Sequence, residues 1–108
     1  NAVYLDAFLD RLYRVIGKGN ALVVQNVLFV QGPLTLKDGV IFGRACQPHN
    51  CGRLFLRYWY DTRTDQMVAL FANQRQFHLY LEQPHLSPRI SARFSDDGWF
   101  RAKDFGWE

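Results

Sequence analysis

The chain has 108 residues, of which 48% are hydrophobic and 16% are aromatic, so it can bury a core without a second domain. We therefore interpret residues 1–108 as a single domain. No run of 18 apolar residues occurs, which argues against a membrane-spanning helix. Thirteen Lys and Arg residues against ten Asp and Glu residues give a net charge of +3, too small an excess to indicate a nucleic-acid partner.

An amphipathic helix is predicted over residues 3–16. Its apolar side chains lie on one helical stripe, and the charged residues lie elsewhere on the helix. The segment Gly17-Lys18-Gly19-Asn20 contains residues that are typical of helix ends. We therefore expect the helix to stop there, before an apolar stretch over residues 21–30.

A β-hairpin is predicted over residues 34–42, because Asp38-Gly39 separates two extended runs. Its second strand leads directly into Cys46, and an extended pattern resumes over residues 53–60. Both alternating faces of that second run are largely apolar, which is typical of a central strand covered on both sides. We therefore expect helices on both faces of the sheet.

Two more strands and a second helix follow in the pattern. Residues 66–71 and 77–81 have strand character after a turn over residues 61–65. Ser87-Pro88 is typical of an N-cap and first helical residue, which predicts a short helix to about Phe94. Asp97-Gly98 then leads into an aromatic tail, which we expect either to pack on its own domain or to support a homodimer.

Between the two central strands lies Cys46-Gln47-Pro48-His49-Asn50-Cys51, which places one histidine near the tip of a short loop. A disulfide could close this loop, and closure of so small a ring removes only about 2 kcal/mol of unfolded-chain entropy. The larger effect is on shape, because Pro48 restricts the backbone and Asn50 tolerates turn geometry. We expect an exposed loop at one end of the sheet that presents His49.

Three other interpretations of this loop stay open: a redox pair, a metal site and a purely structural disulfide. Redox pairs usually separate their cysteines by two residues rather than four. A zinc site would need a fourth ligand, and His78 and His85 have no ligand-like spacing to the loop. Cysteines this close favour a disulfide and thus a periplasmic or secreted protein. The start at Asn1 rather than Met favours the loss of a preceding leader.

Other candidate sites have simpler explanations. Arg53, Arg57 and Arg63 alternate with aromatic residues 58–60, as in platforms for single-stranded nucleic acid, but the small net charge favours core packing. His78 is expected to be a half-buried strand residue, whereas His85 lies in a Pro-rich loop and could border a binding surface.

Asp96 and Asp97 precede a glycine and fit a turn better than a catalytic carboxylate pair. The chain contains no nucleophile elbow, no phosphate-binding loop and no Ser/His/Asp order. We therefore expect a protein that is not an enzyme and that needs no cofactor or metal.

The segment Ala45–Gly52, A-C-Q-P-H-N-C-G, resembles the A-C-K-P-H-D-C-G loop of the Ivy family, the bacterial inhibitors of vertebrate lysozyme. Residues 65–71, D-Q-M-V-A-L-F, resemble the N-Q-M-x-G-L-F strand of that family. The resemblance implies a periplasmic α+β domain in which helices cover a five-stranded antiparallel meander, in α/β/α layers. It also implies a Cys46–Cys51 disulfide and a loop that enters the cleft of C-type lysozyme, where His49 reaches the two catalytic carboxyl groups.

Two loop positions depart from the family pattern: Gln47 stands in place of a lysine, and Asn50 in place of an aspartate. Vertebrate C-type lysozymes are generally basic, so a protein of charge +3 would approach one against long-range repulsion. A bacterial lytic transglycosylase or another muramidase is therefore a second candidate partner. The alternative function is an Ivy-fold binding or immunity protein that no longer inhibits lysozyme.

Overall fold

The computed structural model describes residues 10–27, 30–31, 34–50, 53–74 and 76–96. The aromatic tail and the first part of the predicted N-terminal helix lie outside these residues.

Two helical segments precede the sheet. Residues 10–16 are the described part of α1, and α2 spans Lys18–Val27. Gly17 separates them with a φ of +90°, a conformation that glycine adopts without strain. None of the described helices is long and apolar enough to cross a membrane.

The predicted end of the N-terminal helix is confirmed at Gly17, but a second helix, α2, begins immediately at Lys18, within the segment expected to be non-helical. Tertiary contacts override the weak helix propensity of this segment. Asn20 donates from Nδ2 to the Ile16 carbonyl (2.9 Å) and to the Tyr80 hydroxyl (2.7 Å). Ala21 and Val24 are buried in the core on the same side of the sheet as α1.

The sheet is antiparallel throughout its described strands, and a third helix, α3 (Pro88–Asp96), follows it. The strands are β1 (Val30–Gln31), β2 (Thr35–Lys37), β3 (Val40–Cys46), β4 (Leu54–Asp61), β5 (Gln66–Asn73) and β6 (Gln76–Leu81). β1 and β2 both pair with the same edge of β3, so these strands fill five positions across the sheet. The predicted α+β fold with a five-stranded meander is confirmed, with the first position divided between two short strands.

Hydrophobic cores lie on both faces of the sheet, as predicted. On one face α1 packs through Leu12 and Ile16 onto alternate residues of β4 and β5, and α2 adds Ala21 and Val24 to the same core. On the other face Ile90 and Phe94 of α3 pack around Trp59, whose ring lies edge-on to Phe94 at 4.6 Å. β4 and β5 are therefore buried on both sides, which explains their continuous apolar sequence.

The turn between β2 and β3 has the predicted chemistry. Asp38 and Gly39 have φ values of +52° and +79°, the two positive values that a type I′ hairpin turn requires. Thr62 donates to the Gly39 carbonyl from its backbone nitrogen (2.9 Å) and from Oγ1 (2.7 Å). These two bonds join the β2–β3 turn to the β4–β5 turn over residues 62–65. We call the end of the sheet that carries both turns the far end.

The start of α3 is capped as the sequence predicts. Ser87 Oγ accepts from the backbone nitrogen of Ile90 at 3.5 Å, and the Ser87 carbonyl accepts from Ser91 at 2.9 Å. The same hydroxyl donates to Asp61 at the end of β4. The cap therefore also anchors α3 to the far end of the sheet.

Asp61 is fully buried and accepts three hydrogen bonds. Ser87 Oγ donates to Oδ2, while the backbone nitrogens of Arg63 (2.9 Å) and Thr64 (3.3 Å) donate to Oδ1. Burial by itself raises the pKa of this carboxyl, but the hydrogen bonds outweigh it and hold the pKa below its ordinary value. The folded state therefore favours the ionised form.

A second polar group joins α1 to the sheet at the far end. Arg11 donates to both carboxylate oxygens of Glu82 at 2.8 Å and also bonds Asp65. Glu82 in turn accepts from the Met67 nitrogen at 2.7 Å. The bidentate geometry fixes the orientation of α1 on the sheet more strongly than a single ion pair would.

We expect Asp61→Asn to lower the free energy of unfolding at neutral pH by about 1–3 kcal/mol, because buried donors lose a charged acceptor. The pKa of Asp61 is lower in the folded state. Its contribution is therefore present above the unfolded carboxyl pKa, about 3.9, and is lost as pH falls through the folded value. Denaturant unfolding at a series of acidic and neutral pH values measures both effects.

Asp38→Asn is the matched control, because Asp38 is exposed in a type I′ turn that also suits asparagine. The control should keep the wild-type stability at neutral pH. An equally steep acid loss of stability in wild type and Asp61→Asn would contradict the role given to Asp61.

Candidate functional site

The loop between β3 and β4 leaves the sheet at the end opposite the far end. The last ladder pair of these strands is Cys46 with Phe55, and the Gln47 nitrogen then donates to the Leu54 carbonyl at 3.1 Å. The β5–β6 turn lies beside it, because the Gln74 nitrogen donates to the Arg53 carbonyl at 2.7 Å. We call this end, with the loop over residues 47–53 and the β5–β6 turn, the loop end.

Residues 47–50 form a hydrogen-bonded β-turn. The Asn50 nitrogen donates to the Gln47 carbonyl at 3.0 Å, Pro48 occupies the second position and His49 the third. His49 has a φ of +63°, so the turn has the proline and the positive φ that characterise type II. Glycine usually occupies that third position, and another residue there costs about 1–3 kcal/mol of backbone strain.

Asn50 holds the base of this turn through both its backbone and its side chain. Its carbonyl accepts from the nitrogens of Arg53 and Leu54, both at 3.0 Å. Its Nδ2 donates to Oε1 of Gln47 at 2.8 Å. Asn50 therefore takes part in four hydrogen bonds at the base of the turn, and they offset the strain at His49.

The structure places His49 in an exposed position, as expected for a presented side chain. Gln47, Pro48 and Asn50 are only half-buried rather than fully protruding. The expectation of an exposed loop is thus met only in part, since Pro48 and Asn50 form the half-buried sides of the turn. The histidine alone occupies the exposed tip of the described loop.

Cys46 is half-buried against the core on the α3 side of the sheet, and it is not a free thiol. Cys51 lies outside the described residues. The closure of the loop by a Cys46–Cys51 bond therefore stays a prediction.

Neither of the other two histidines lies in the loop. His78 is exposed, not half-buried as expected, because β6 is an edge strand and its outer part is uncovered. Its ring lies 6.1 Å from that of Tyr80. His85 is at the far end, where its carbonyl accepts from Gln66 Nε2, so it does not border the loop.

The alternating arginines and aromatic residues do not make a stacking platform. Tyr58 and Trp59 point to opposite faces of β4, and both are buried in the cores. Arg57 lies over the Phe55 ring at 4.6 Å from its centroid. This part of the sequence is therefore explained by packing.

No group of three or more His, Cys, Asp or Glu side chains within the described ranges is arranged to hold a metal ion. Asp96 is the last residue of α3, and Asp97 lies outside the described residues. The interpretation of Asp97-Gly98 as a turn therefore stays a prediction.

Sequence reasoning missed the side-chain bond between Gln47 and Asn50. It treated them as two separate departures from the family loop, whereas they are partners in one hydrogen bond. The signal was present in the spacing, because the first and fourth residues of a β-turn lie side by side. It also missed Arg44, which stands directly opposite Arg57 in the β3–β4 ladder, because only the register reveals that pair.

The arrangement can present one imidazole, held by a stiff turn, to a concave surface. A sequence model of the family described as "Inhibitor of vertebrate lysozyme (Ivy)" matches residues 7–96, which is most of the chain and includes the whole sheet and the loop. Comparisons with curated proteins and with solved structures found no match. On the extent of the family match, this chain belongs to the Ivy family, the inhibitors of vertebrate lysozyme.

Proposed function

We propose that this protein inhibits lysozyme, or a related glycosidase that cleaves peptidoglycan, by inserting the β3–β4 loop into the catalytic cleft. The family match supports an inhibitor rather than an enzyme. The observation that carries the proposal is the exposed His49 at the third position of a braced turn, at one end of the sheet. The inserted segment is Cys46–Cys51, and His49 makes its central contact.

The chemistry of a glycosidase cleft suits an inserted imidazole. Such a cleft carries two carboxyl groups, one that acts as general acid and one that is ionised. Imidazole has two ring nitrogens on different edges, so it can bond both groups at once. A single histidine can therefore occupy the space between the two groups that the substrate needs.

The conformation of the turn supports rigid insertion. The positive φ of His49 and the hydrogen bonds of Asn50 already hold the loop in one shape in the free protein. A loop held in this way loses little conformational entropy on binding, which favours affinity.

The departures from the family loop are compatible with the same role. An ion pair of lysine and aspartate would span the same two positions that Gln47 and Asn50 join by an amide hydrogen bond at 2.8 Å. One polar pair has therefore replaced another, and the support beneath His49 is kept. This favours retention of an Ivy-type target over a change of function.

A C-type lysozyme is the first target to test, and a bacterial lytic transglycosylase or muramidase is the second. The proposed location is the periplasm or the exterior, where a Cys46–Cys51 disulfide would persist.

We expect His49→Ala to weaken binding to a C-type lysozyme by at least about 2 kcal/mol, roughly thirtyfold, because truncation leaves desolvated carboxyl groups unpaired. His49→Asn is a second test, since asparagine tolerates a positive φ and keeps the turn while removing the imidazole. Both variants should lose inhibition of cell-wall lysis.

His78→Ala is the matched control, because His78 is an exposed histidine on the edge strand. It should inhibit like wild type. Inhibition that survives both changes at His49 would exclude the insertion mechanism and leave a family fold with another binding surface.

The Gln47–Asn50 bond should appear as an energetic coupling. Gln47→Ala and Asn50→Ala remove the same hydrogen bond. The loss of binding free energy in the double variant should therefore be smaller than the sum of the two single losses by about 1 kcal/mol. Replacing the pair with Gln47→Lys and Asn50→Asp together should keep affinity within about threefold of wild type. Strictly additive losses in the alanine cycle would show that the pair does not support the loop.

Reduction of the disulfide should harm binding more than folding. The ring is small, so its loss costs the folded state only about 2 kcal/mol. The loss of the ring that would constrain the loop should reduce affinity at least about tenfold. Melting temperature and affinity with and without reductant measure the two effects, and global unfolding on reduction would contradict this assignment.

A further inference from the structure

The two ends of the sheet differ in charge. Among the residues that the structure describes, the carboxylates of the strands and of their connections all lie at the far end: Asp38, Asp61, Asp65 and Glu82. Far-end cations lie among these carboxylates. Arg11 bonds Glu82 and Asp65, and Arg89 lies 3.8 Å from Asp61. Lys37, Arg63 and Arg93 lie at the same end, so five cations stand against these four carboxylates and the charges largely cancel there.

Arginines are present at the loop end instead. Arg44 and Arg53 are both exposed, one on β3 two residues before Cys46 and the other at the end of the loop. Arg57 lies directly opposite Arg44 in the ladder. Like charges in such a cross-strand pair are unfavourable for the sheet. The charge +3 of the chain is thus not a uniform property of its surface.

We propose that Arg44 and Arg53 form a cationic rim around the His49 loop that selects a glycosidase with an acidic cleft rim and speeds its association. This inference rests on the proposed function and adds the charge of the partner. Complementary charges around an interface act mainly on the association rate and on specificity. No carboxylate of the described strands or their connections lies at the loop end, so the charge of Arg44 and Arg53 is not balanced there and would orient the loop towards the carboxyl groups of the cleft.

The test compares Arg44→Gln and Arg53→Gln with Arg63→Gln in association kinetics. Arg63 is the matched control for Arg53, because both are exposed arginines in turns and lie at opposite ends of the sheet. With a C-type lysozyme as the probe, each loop-end change should slow association about threefold or more at low salt and reduce its salt dependence, because the rim faces the carboxyl groups of the cleft. Faster association after either change would overturn the proposal, since repulsion by the basic enzyme as a whole would then dominate. Dissociation should change little. Equal slowing by Arg63→Gln would overturn the proposal, since net charge alone would then explain the effect.

A second measurement does not depend on inhibition. Retention on a carboxylate-bearing cation exchanger reports which surface carries the accessible positive charge. The Arg44→Gln and Arg53→Gln proteins should elute at lower salt than Arg63→Gln, although every variant loses one charge. The same elution for all three would overturn the cationic rim. If the two loop-end variants elute earlier as expected but the wild-type protein binds no lysozyme, the cationic rim stands and only the proposed function is contradicted.

Discussion

The pairing of β4 with both of its neighbours is the constraint on which the rest of the structure depends. β4 is buried on both faces, so alternate side chains must enter two separate cores. A strand with no free face leaves no room for a connection across the sheet. The link from β3 must therefore turn sharply at the sheet end, and the ladder pair of Cys46 with Phe55 determines where the loop begins.

The two ends of the sheet have different roles: the far end attaches the helices, and the loop end presents His49. Buried polar groups at the far end, centred on Asp61 and Arg11, hold the helices to the sheet. At the loop end, hydrogen bonds among residues 47–54 hold the loop, and the bond from Gln74 to Arg53 joins it to the β5–β6 turn. The strain at His49 persists there because the hydrogen bonds of Asn50 hold the turn in this conformation.

This separation also affects recognition. If the net charge of +3 were spread evenly over the surface, it would oppose the approach of a basic enzyme. The distribution in the fold changes that argument, because the carboxylates lie near their cationic partners at one end while Arg44 and Arg53 stand beside the loop. A binding surface can therefore be matched to an acidic cleft even when the two proteins as a whole have the same sign.

The sequence alone determined the features that depend on neighbouring residues. These are the Asp38-Gly39 hairpin turn, the Ser87 cap, the burial of β4 on both faces and the position of His49 between two strands. Only the tertiary structure decided the restart of the helix at Lys18, the far-end location of His85 and the opposition of Arg44 to Arg57. The physical reason is distance along the chain: a turn or a cap is set by contacts within a few residues, whereas strand register and helix docking are set by packing between segments whose relative positions no local pattern encodes.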